Sequence, residues 1–257
     1  MSNFGITVLG TASAVPIADR NPSAQVLNVH GRLFLIDCGE GTQQQFRRFH
    51  QSFLKVEAIF ISHIHGDHCL GIFGLLSTMA MYGRTAPLSI FAPRSFGPVL
   101  KFYMSYFGED LSYQVEHVAL DAKEPKEIYR SGELVVSAFP LNHKIECFGF
   151  RFCYKERYSY AYCSDTAPFP ELAQWVKDVD ILYHEATYTR AFADKAGPRF
   201  HSVTDDAARC ALEAGARKLV IGHYSSRIRD ISQFESECKE IFDNTVAAND
   251  GDVFEIC

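Results

Sequence analysis

Five apolar runs in this chain of 257 residues each end on a histidine or an aspartate. Residues 58–62 run into His63, 134–139 into Pro140-Leu141-Asn142-His143, and 160–163 into Ser164-Asp165. Residues 180–183 run into His184, and 218–221 into Gly222-His223. Short apolar runs bounded by polar residues read as buried strands. Layered α/β proteins place their ligand sites just beyond the C-terminal ends of such strands. The recurrence therefore demands an α/β fold whose strand ends gather imidazoles and carboxylates at one edge.

The densest of these ends is His63-Ile64-His65-Gly66-Asp67-His68. It reads as a tight turn in which Gly66 supplies backbone freedom. Imidazole and carboxylate together suit zinc and other divalent first-row metals, and buried polar groups this dense are costly unless compensated. The chain holds ten histidines; His30, His50 and His117 have no motif around them and are assigned to the surface or to satisfied core positions.

Between these ends, strands are expected at 6–9, 25–29, 32–36, 88–91, 148–154 and 253–256, with His30-Gly31 as a hairpin turn. Helices are expected at 41–50, 70–81, 93–107 with Pro93 near its start, 170–176 and 233–244. Ser202-Val203-Thr204-Asp205 reads as a capping box for a helix reaching Ala214, with Gly215 as its stop. The length fits a single domain, 1–257, made of pseudo-halves of about 1–120 and 121–257, with Asp121 to Lys126 as the most linker-like stretch.

Composition narrows the classes. A hydrophobic fraction of 47% is ordinary for a globular protein, and no apolar stretch approaches the ~18 residues of a membrane span. The start, Met1-Ser2-Asn3-Phe4, lacks a basic lead and is expected to open the first strand rather than a signal peptide. The eight cysteines form no CxxC pair and lie scattered in apolar segments, which points to free thiols and a cytoplasmic setting. Cys69 follows the histidine cluster directly, but better ligands surround it. The formal charge of -6 argues against general nucleic-acid affinity and leaves Arg47-Arg48 and Arg227-Ile228-Arg229 as local basic candidates.

Counting ligands gives two metal ions. His63 and His65 with His143 can hold one, and Asp67 and His68 with His223 a second, while Asp165 can bridge them. Each ion then keeps an open position for water, as catalysis requires. Paired ions ~3.5–4 Å apart suit hydrolysis, and Asp67 can orient the attacking hydroxide or take its proton.

These residues resemble the metallo-β-lactamase superfamily and, within it, the ribonuclease Z family, along nearly the whole chain. The resembling segments are Leu9-Gly10-Thr11-Ala12-Ser13-Ala14-Val15-Pro16 and Asp37-Cys38-Gly39-Glu40-Gly41-Thr42-Gln43. His63 to His68 marks the superfamily alone. His184-Glu185-Ala186-Thr187 with His201-Ser202, and Gly222-His223-Tyr224-Ser225-Ser226-Arg227, are specific to the family.

The resemblance implies an αββα sandwich of two mixed sheets flanked by helices, zinc, and a homodimer. It implies a tRNA 3′-processing endoribonuclease that leaves a tRNA 3′-hydroxyl and a 5′-phosphate on the trailer. It also assigns Ser225 and Arg227 to phosphate binding, His201 to the leaving oxygen or the phosphate with Glu185 orienting it, and His184 to substrate contact or to a network that orients ligands.

One departure stands out. The family carries a protruding tRNA-binding arm between the positions of His143 and Asp165, and here Tyr154-Lys155-Glu156-Arg157-Tyr158-Ser159 passes almost directly between strands. Either the protein lacks the arm, or a longer natural chain carries it near Arg157-Tyr158; the intact remaining motifs favour the second. Without an arm, small phosphodiesters become the alternative substrates. A non-catalytic RNA-binding protein on the same fold has no need of open metal positions.

Overall fold

The computed structural model describes residues 4–15 and 17–256. Three sequence expectations fall outside them: the character of Met1 to Asn3, the last position of the Leu9 to Pro16 motif, and the Cys257 thiol.

The first segment contains β1 (Phe4–Gly10), β2 (Ala24–Val29), β3 (Arg32–Cys38), α1 (Thr42–Arg48), β4 (Val56–Phe60), α2 (Gly66–Cys69), α3 (Ile72–Met81), β5 (Leu88–Pro93), α4 (Phe96–Phe107) and β6 (Val115–Leu120). The second contains β7 (Lys126–Ser131), β8 (Leu134–Pro140), β9 (Phe148–Tyr154), β10 (Tyr158–Cys163), α5 (Leu172–Trp175), β11 (Ile181–Glu185), α6 (Ala193–Ala196), α7 (Thr204–Ala214), β12 (Lys218–Gly222), α8 (Ser232–Lys239) and β13 (Thr245–Ala247). The chain closes with β14 (Val253–Glu255), which pairs antiparallel with β1.

Two compact units result, divided between Asp121 and Ala122, with 250–255 returning to the first. Each holds a seven-stranded mixed sheet, ordered β14-β1-β2-β3-β4-β5-β6 in the first and β13-β12-β11-β10-β9-β8-β7 in the second. The strands that lead into candidate ligands are mostly central and have a parallel neighbour: β4 in one sheet, β10, β11 and β12 in the other, whereas β8, which precedes His143, is antiparallel to both its neighbours. Central parallel strands are covered on both faces, which is why they read as unbroken apolar runs.

The first core packs Leu75, Leu76 and Met79 of α3 and Phe96 and Leu100 of α4 against Leu35, Ile59 and Ile90 of the sheet. The second packs Ala207, Ala208, Ala211 and Ala214 of α7 against Leu182, Leu219 and Ile221. A face of alanines brings α7 close to its sheet, so loops at its N-terminus are held tightly.

Most expected elements are present with ends moved by a few residues. The hairpin at His30-Gly31 forms with both residues at positive φ (52° and 86°), as a two-residue turn matched to strand twist requires. Gly215 ends α7 in the left-handed conformation. Three strands escaped the sequence reading: β6, β7 and β13. The stretch read as a linker at 121–126 runs into β7, an edge strand whose lysine, glutamate and arginine face solvent.

Two local readings need correction. The turn at 63–68 contains a helical turn, α2, and Gly66 begins it without positive φ, so it supplies no left-handed conformation. The capping residue of α7 is Val203, whose N–H donates to Asp206 Oδ2 at 3.0 Å, while the Ser202 hydroxyl donates to the Thr166 carbonyl at 2.7 Å.

The strands β9 and β10 are joined directly. Tyr154 pairs with Tyr158, Arg157 N–H donates to the Tyr154 carbonyl, and Lys155 and Glu156 both have positive φ. No helix among the described residues is long and apolar enough to cross a membrane. The seven described cysteines are free thiols.

Candidate metal centre

In the first unit, β4 ends at Phe60, and Ile61 N–H still donates to Phe91 O of β5 at 2.8 Å. The sheet therefore holds the backbone rigidly up to His63. His65 then caps α2 in an extended conformation, which puts Asp67 and His68 on consecutive positions of one helical turn. The approach of this turn to β3 is backbone on backbone. A Cβ on Gly71 would stand 1.9 Å from the Gly39 carbonyl oxygen, and one on Gly39 would stand 2.4 Å from that of Asp67, so neither position admits a side chain.

Four candidate side chains meet here. His63 Nε2 lies 3.0 Å from His65 Nδ1, the His63 and His68 rings are 4.1 Å apart, and His68 Nε2 lies 3.4 Å from Asp67 Oδ2. Asp37, at the end of β3, organises them. Its Oδ1 accepts from Ser62 N–H at 2.7 Å, and its Oδ2 accepts from the Ser62 hydroxyl at 2.9 Å and from His68 Nδ1 at 2.8 Å. The Ser62 hydroxyl, having donated to Asp37, can only accept from His63 Nδ1 at 3.0 Å. Both rings are thereby fixed with a proton on Nδ1 and a lone pair on Nε2, the arrangement of metal-binding histidines.

Asp37 is fully buried and sits at φ 53°, a left-handed conformation that aspartate tolerates better than most residues. No role was assigned to it from sequence. The signal was there: it follows the apolar run Leu33-Phe34-Leu35-Ile36 just as the other candidates follow theirs. Cys69 donates its thiol to His65 O, and burial pushes that thiol up to about 11.

In the second unit the candidates arrive from separate loops: His143 after β8, Asp165 after β10, His201 before α7, and His223 after β12. Asp165, His201 and His223 each offer a donor atom within 4.8 Å of the others. His223 Nε2 is 3.2 Å from Asp165 Oδ1, and His143 Nε2 is 3.9 Å from Asp165 Oδ2. The far nitrogens are again held. His143 Nδ1 donates to the Phe200 carbonyl at 3.1 Å, and His223 Nδ1 donates to Thr187 Oγ1 at 2.8 Å.

Glu185 is to this unit what Asp37 is to the first. It is fully buried, and its Oε1 accepts from His201 Nδ1 (3.0 Å), Ser202 N–H (3.0 Å) and Thr166 N–H (3.2 Å). Its Oε2 accepts from Thr187 N–H and the Thr187 hydroxyl, both at 2.8 Å. Burial alone would raise its pKa, but the neighbouring His201, through its charge and its hydrogen bond, and to a smaller extent His223 bring it below the usual carboxylate value. Thr187 and Phe200 were not singled out from sequence. Phe200, at φ 58°, is a strained conformation for a bulky residue, and the strain aims its carbonyl at His143.

The remaining expected residues lie apart. His184 precedes Glu185 on β11, so its side chain leaves the opposite face of the strand. It is 1% exposed and sits away from Asp165, His201 and His223, with Nδ1 donating to Glu185 O at 2.7 Å. Ser225 is buried, its N–H donating to Thr187 O, while Arg227 is exposed. His30 and His50 occupy turns at positive φ, and His117 contacts the Ala92 carbonyl.

The donor sets fit a divalent metal: buried imidazoles with tautomers set by protein acceptors, and carboxylates beside their lone pairs. The β-lactamase superfamily domain matches residues 32–224, and with two mixed sheets flanked by helices the chain has the metallo-β-lactamase fold.

Similarity extends over nearly the full length. Ribonuclease Z of Bacteroides fragilis (strain YCH46) is 35% identical, covering 97% of this chain and 98% of that protein. Ribonuclease Z of Porphyromonas gingivalis (strain W83) is 34% identical with the same coverage. The chain belongs to the ribonuclease Z family. The crystal structure of human tRNase Z, short form, superposes with a TM-score of 0.85 at 28% identity, covering 98% of this chain and 99% of that one. The alignment with the Bacteroides protein spans 298 positions against the 257 residues here, so that relative carries segments this chain lacks.

Proposed function

We propose that this protein is a metal-dependent endoribonuclease that removes the 3′ trailer from precursor tRNA, leaving a 3′-hydroxyl on the tRNA and a 5′-phosphate on the trailer. The observation that carries this reading is the 35% identity to a Ribonuclease Z across 97% of the chain. Zinc is the proposed metal: His63, His65 and His143 would hold one ion and Asp67, His68 and His223 the other, with Asp165 available to both. Bound there, the metal acidifies water and offsets charge on the phosphate oxygens.

The chain's own groups do the rest. Asp67 accepts the proton of the attacking water. As the bond from phosphorus to the 3′-oxygen breaks, His201, oriented by Glu185 Oε1, gives that oxygen a proton. Ser225 and Arg227 hold the phosphate, Arg227 through its two-pronged guanidinium. His184 acts on this centre only through Glu185, its neighbour on the strand.

A second reading is favoured by the three-residue connection between β9 and β10, Lys155 to Arg157. With no protruding segment at that place, the protein has less surface for a folded RNA and turns over small phosphodiesters well. The protein is further proposed to work in the cytoplasm as a homodimer. Support for the dimer comes from an exposed aromatic stripe on α4, with Phe102 66% and Tyr106 69% exposed. Incubation with precursor tRNA and with bis(p-nitrophenyl) phosphate, with and without chelator, tests the assignment. Chelator-sensitive cleavage of the precursor at the trailer junction supports it. Hydrolysis of the small diester alone supports the second reading and overturns the first.

A further inference from the structure

The side of β11 that carries His184 opens into a groove that the proposed reaction does not use. Its volume is about 340 Å³, within the ~300–1,000 Å³ of small-molecule sites. One wall is the segment before and within α5, with Phe169, Leu172 and Ala173; the other is one face of α7, with Asp206, Cys210 and Glu213.

His184 forms the floor. It is 1% exposed, and Nδ1 donates to the Glu185 carbonyl at 2.7 Å. That bond puts the proton on Nδ1 and leaves the lone pair on Nε2, which bonds nothing else among the described residues. Burial lowers the pKa of His184, so the ring is neutral and Nε2 is an acceptor.

The acidic wall is also only partly engaged. Asp206 Oδ2 accepts from Val203 N–H, and Glu213 is exposed on the same helix face. The one basic side chain at the rim, Arg209, points its guanidinium at Asp205 at 3.9 Å. Asp206 and Glu213 outweigh Arg209 among the charged groups that line the groove, which leaves it a net negative charge opposite a wall of proline, phenylalanine and leucine. No donor among the described residues reaches His184 Nε2, and a ligand that supplies N–H groups engages it.

We propose that this groove is a second binding site, taking a small planar ring whose edge carries a cationic amine or amidine. The ring lies on the Phe169 and Leu172 wall, and its N–H groups donate to His184 Nε2 and to the Asp206 carboxylate. The site stands apart from the metal centre and does not depend on the proposed nuclease activity.

Calorimetric titration of the full chain with benzamidine tests it, with benzoate as the same ring bearing the opposite charge. Benzamidine is expected to saturate, and benzoate to bind at least about tenfold more weakly. Asp206→Asn keeps an oxygen to accept from Val203 N–H while removing the charge, and is expected to weaken benzamidine about tenfold. Ala173→Phe fills the groove and is expected to abolish binding. Chelator-treated protein is expected to bind as well as untreated protein. The proposal is overturned if benzamidine does not saturate, if benzoate binds equally, if Asp206→Asn binds like the unaltered chain, or if chelation removes binding.

Discussion

The two units solve one problem in opposite ways. The first takes four candidate ligands from six consecutive residues and needs one buried carboxylate, Asp37, to set a strand end and a helical turn. The second collects His143, Asp165, His201 and His223 from four separate loops and ties them through Glu185, Thr187 and the strained Phe200. A contiguous cluster is positioned by the local backbone. A dispersed one must be positioned by hydrogen bonds between loops, so it concentrates risk in a few buried side chains.

The largest expected effect is chemical. Asp67→Ala is expected to lower kcat for precursor cleavage by about 10³-fold with an unchanged circular dichroism spectrum, in the middle of the range a positioned base contributes. Near-normal turnover would remove Asp67 from its role. Glu185→Gln comes next. A glutamine cannot accept from all five donors now bound to Glu185, so unfolding is expected to become easier by about 2–4 kcal/mol and kcat to fall ~10–100-fold.

Asp37→Asn is the counterpart in the first unit. With the local backbone doing more of the positioning, it is expected to cost less stability, about 1–2 kcal/mol, and to weaken zinc binding ~10–100-fold. A denaturation experiment on both variants decides the comparison, and equal losses would break it. Phe200→Gly relieves the left-handed strain and is expected to change stability by less than about 1 kcal/mol, whereas Phe200→Val is expected to destabilise by more.

The smallest effect is a pH dependence. Burial raises the Asp206 carboxyl above its usual value, so the folded state holds that proton more tightly than the unfolded chain does. The stability this confers is present below the unfolded value and declines as pH rises through the folded one. Asp206→Asn is therefore expected to raise the melting midpoint slightly at about pH 7 relative to the unaltered chain, with no gain at about pH 3.

Legibility followed the same division. The hexad His63 to His68 was readable because its ligands are neighbours in sequence, and His143, Asp165 and His223 because each ends an apolar run. Thr187, Phe200 and Asp37 were not assigned roles, since a threonine hydroxyl, a backbone carbonyl and a second-layer carboxylate have no spacing of their own. His184 resembled a site residue by adjacency to Glu185, and strand alternation sends it to the other face. The strands β6 and β7 were missed because their exposed positions interrupt the apolar pattern, and β13 is only three residues long. The helical turn α2 was read as irregular because four residues are too few to show a helical period.

The central proposal is that the chain holds a pair of catalytic zinc ions. Elemental analysis of the protein after zinc loading and exhaustive dialysis tests it most directly, read beside the His63→Ala and His223→Ala variants. The account predicts about two zinc ions per chain in the unaltered protein and a loss of about one in each variant. Zinc that is absent from the unaltered protein, or a content unchanged in both variants, would contradict it.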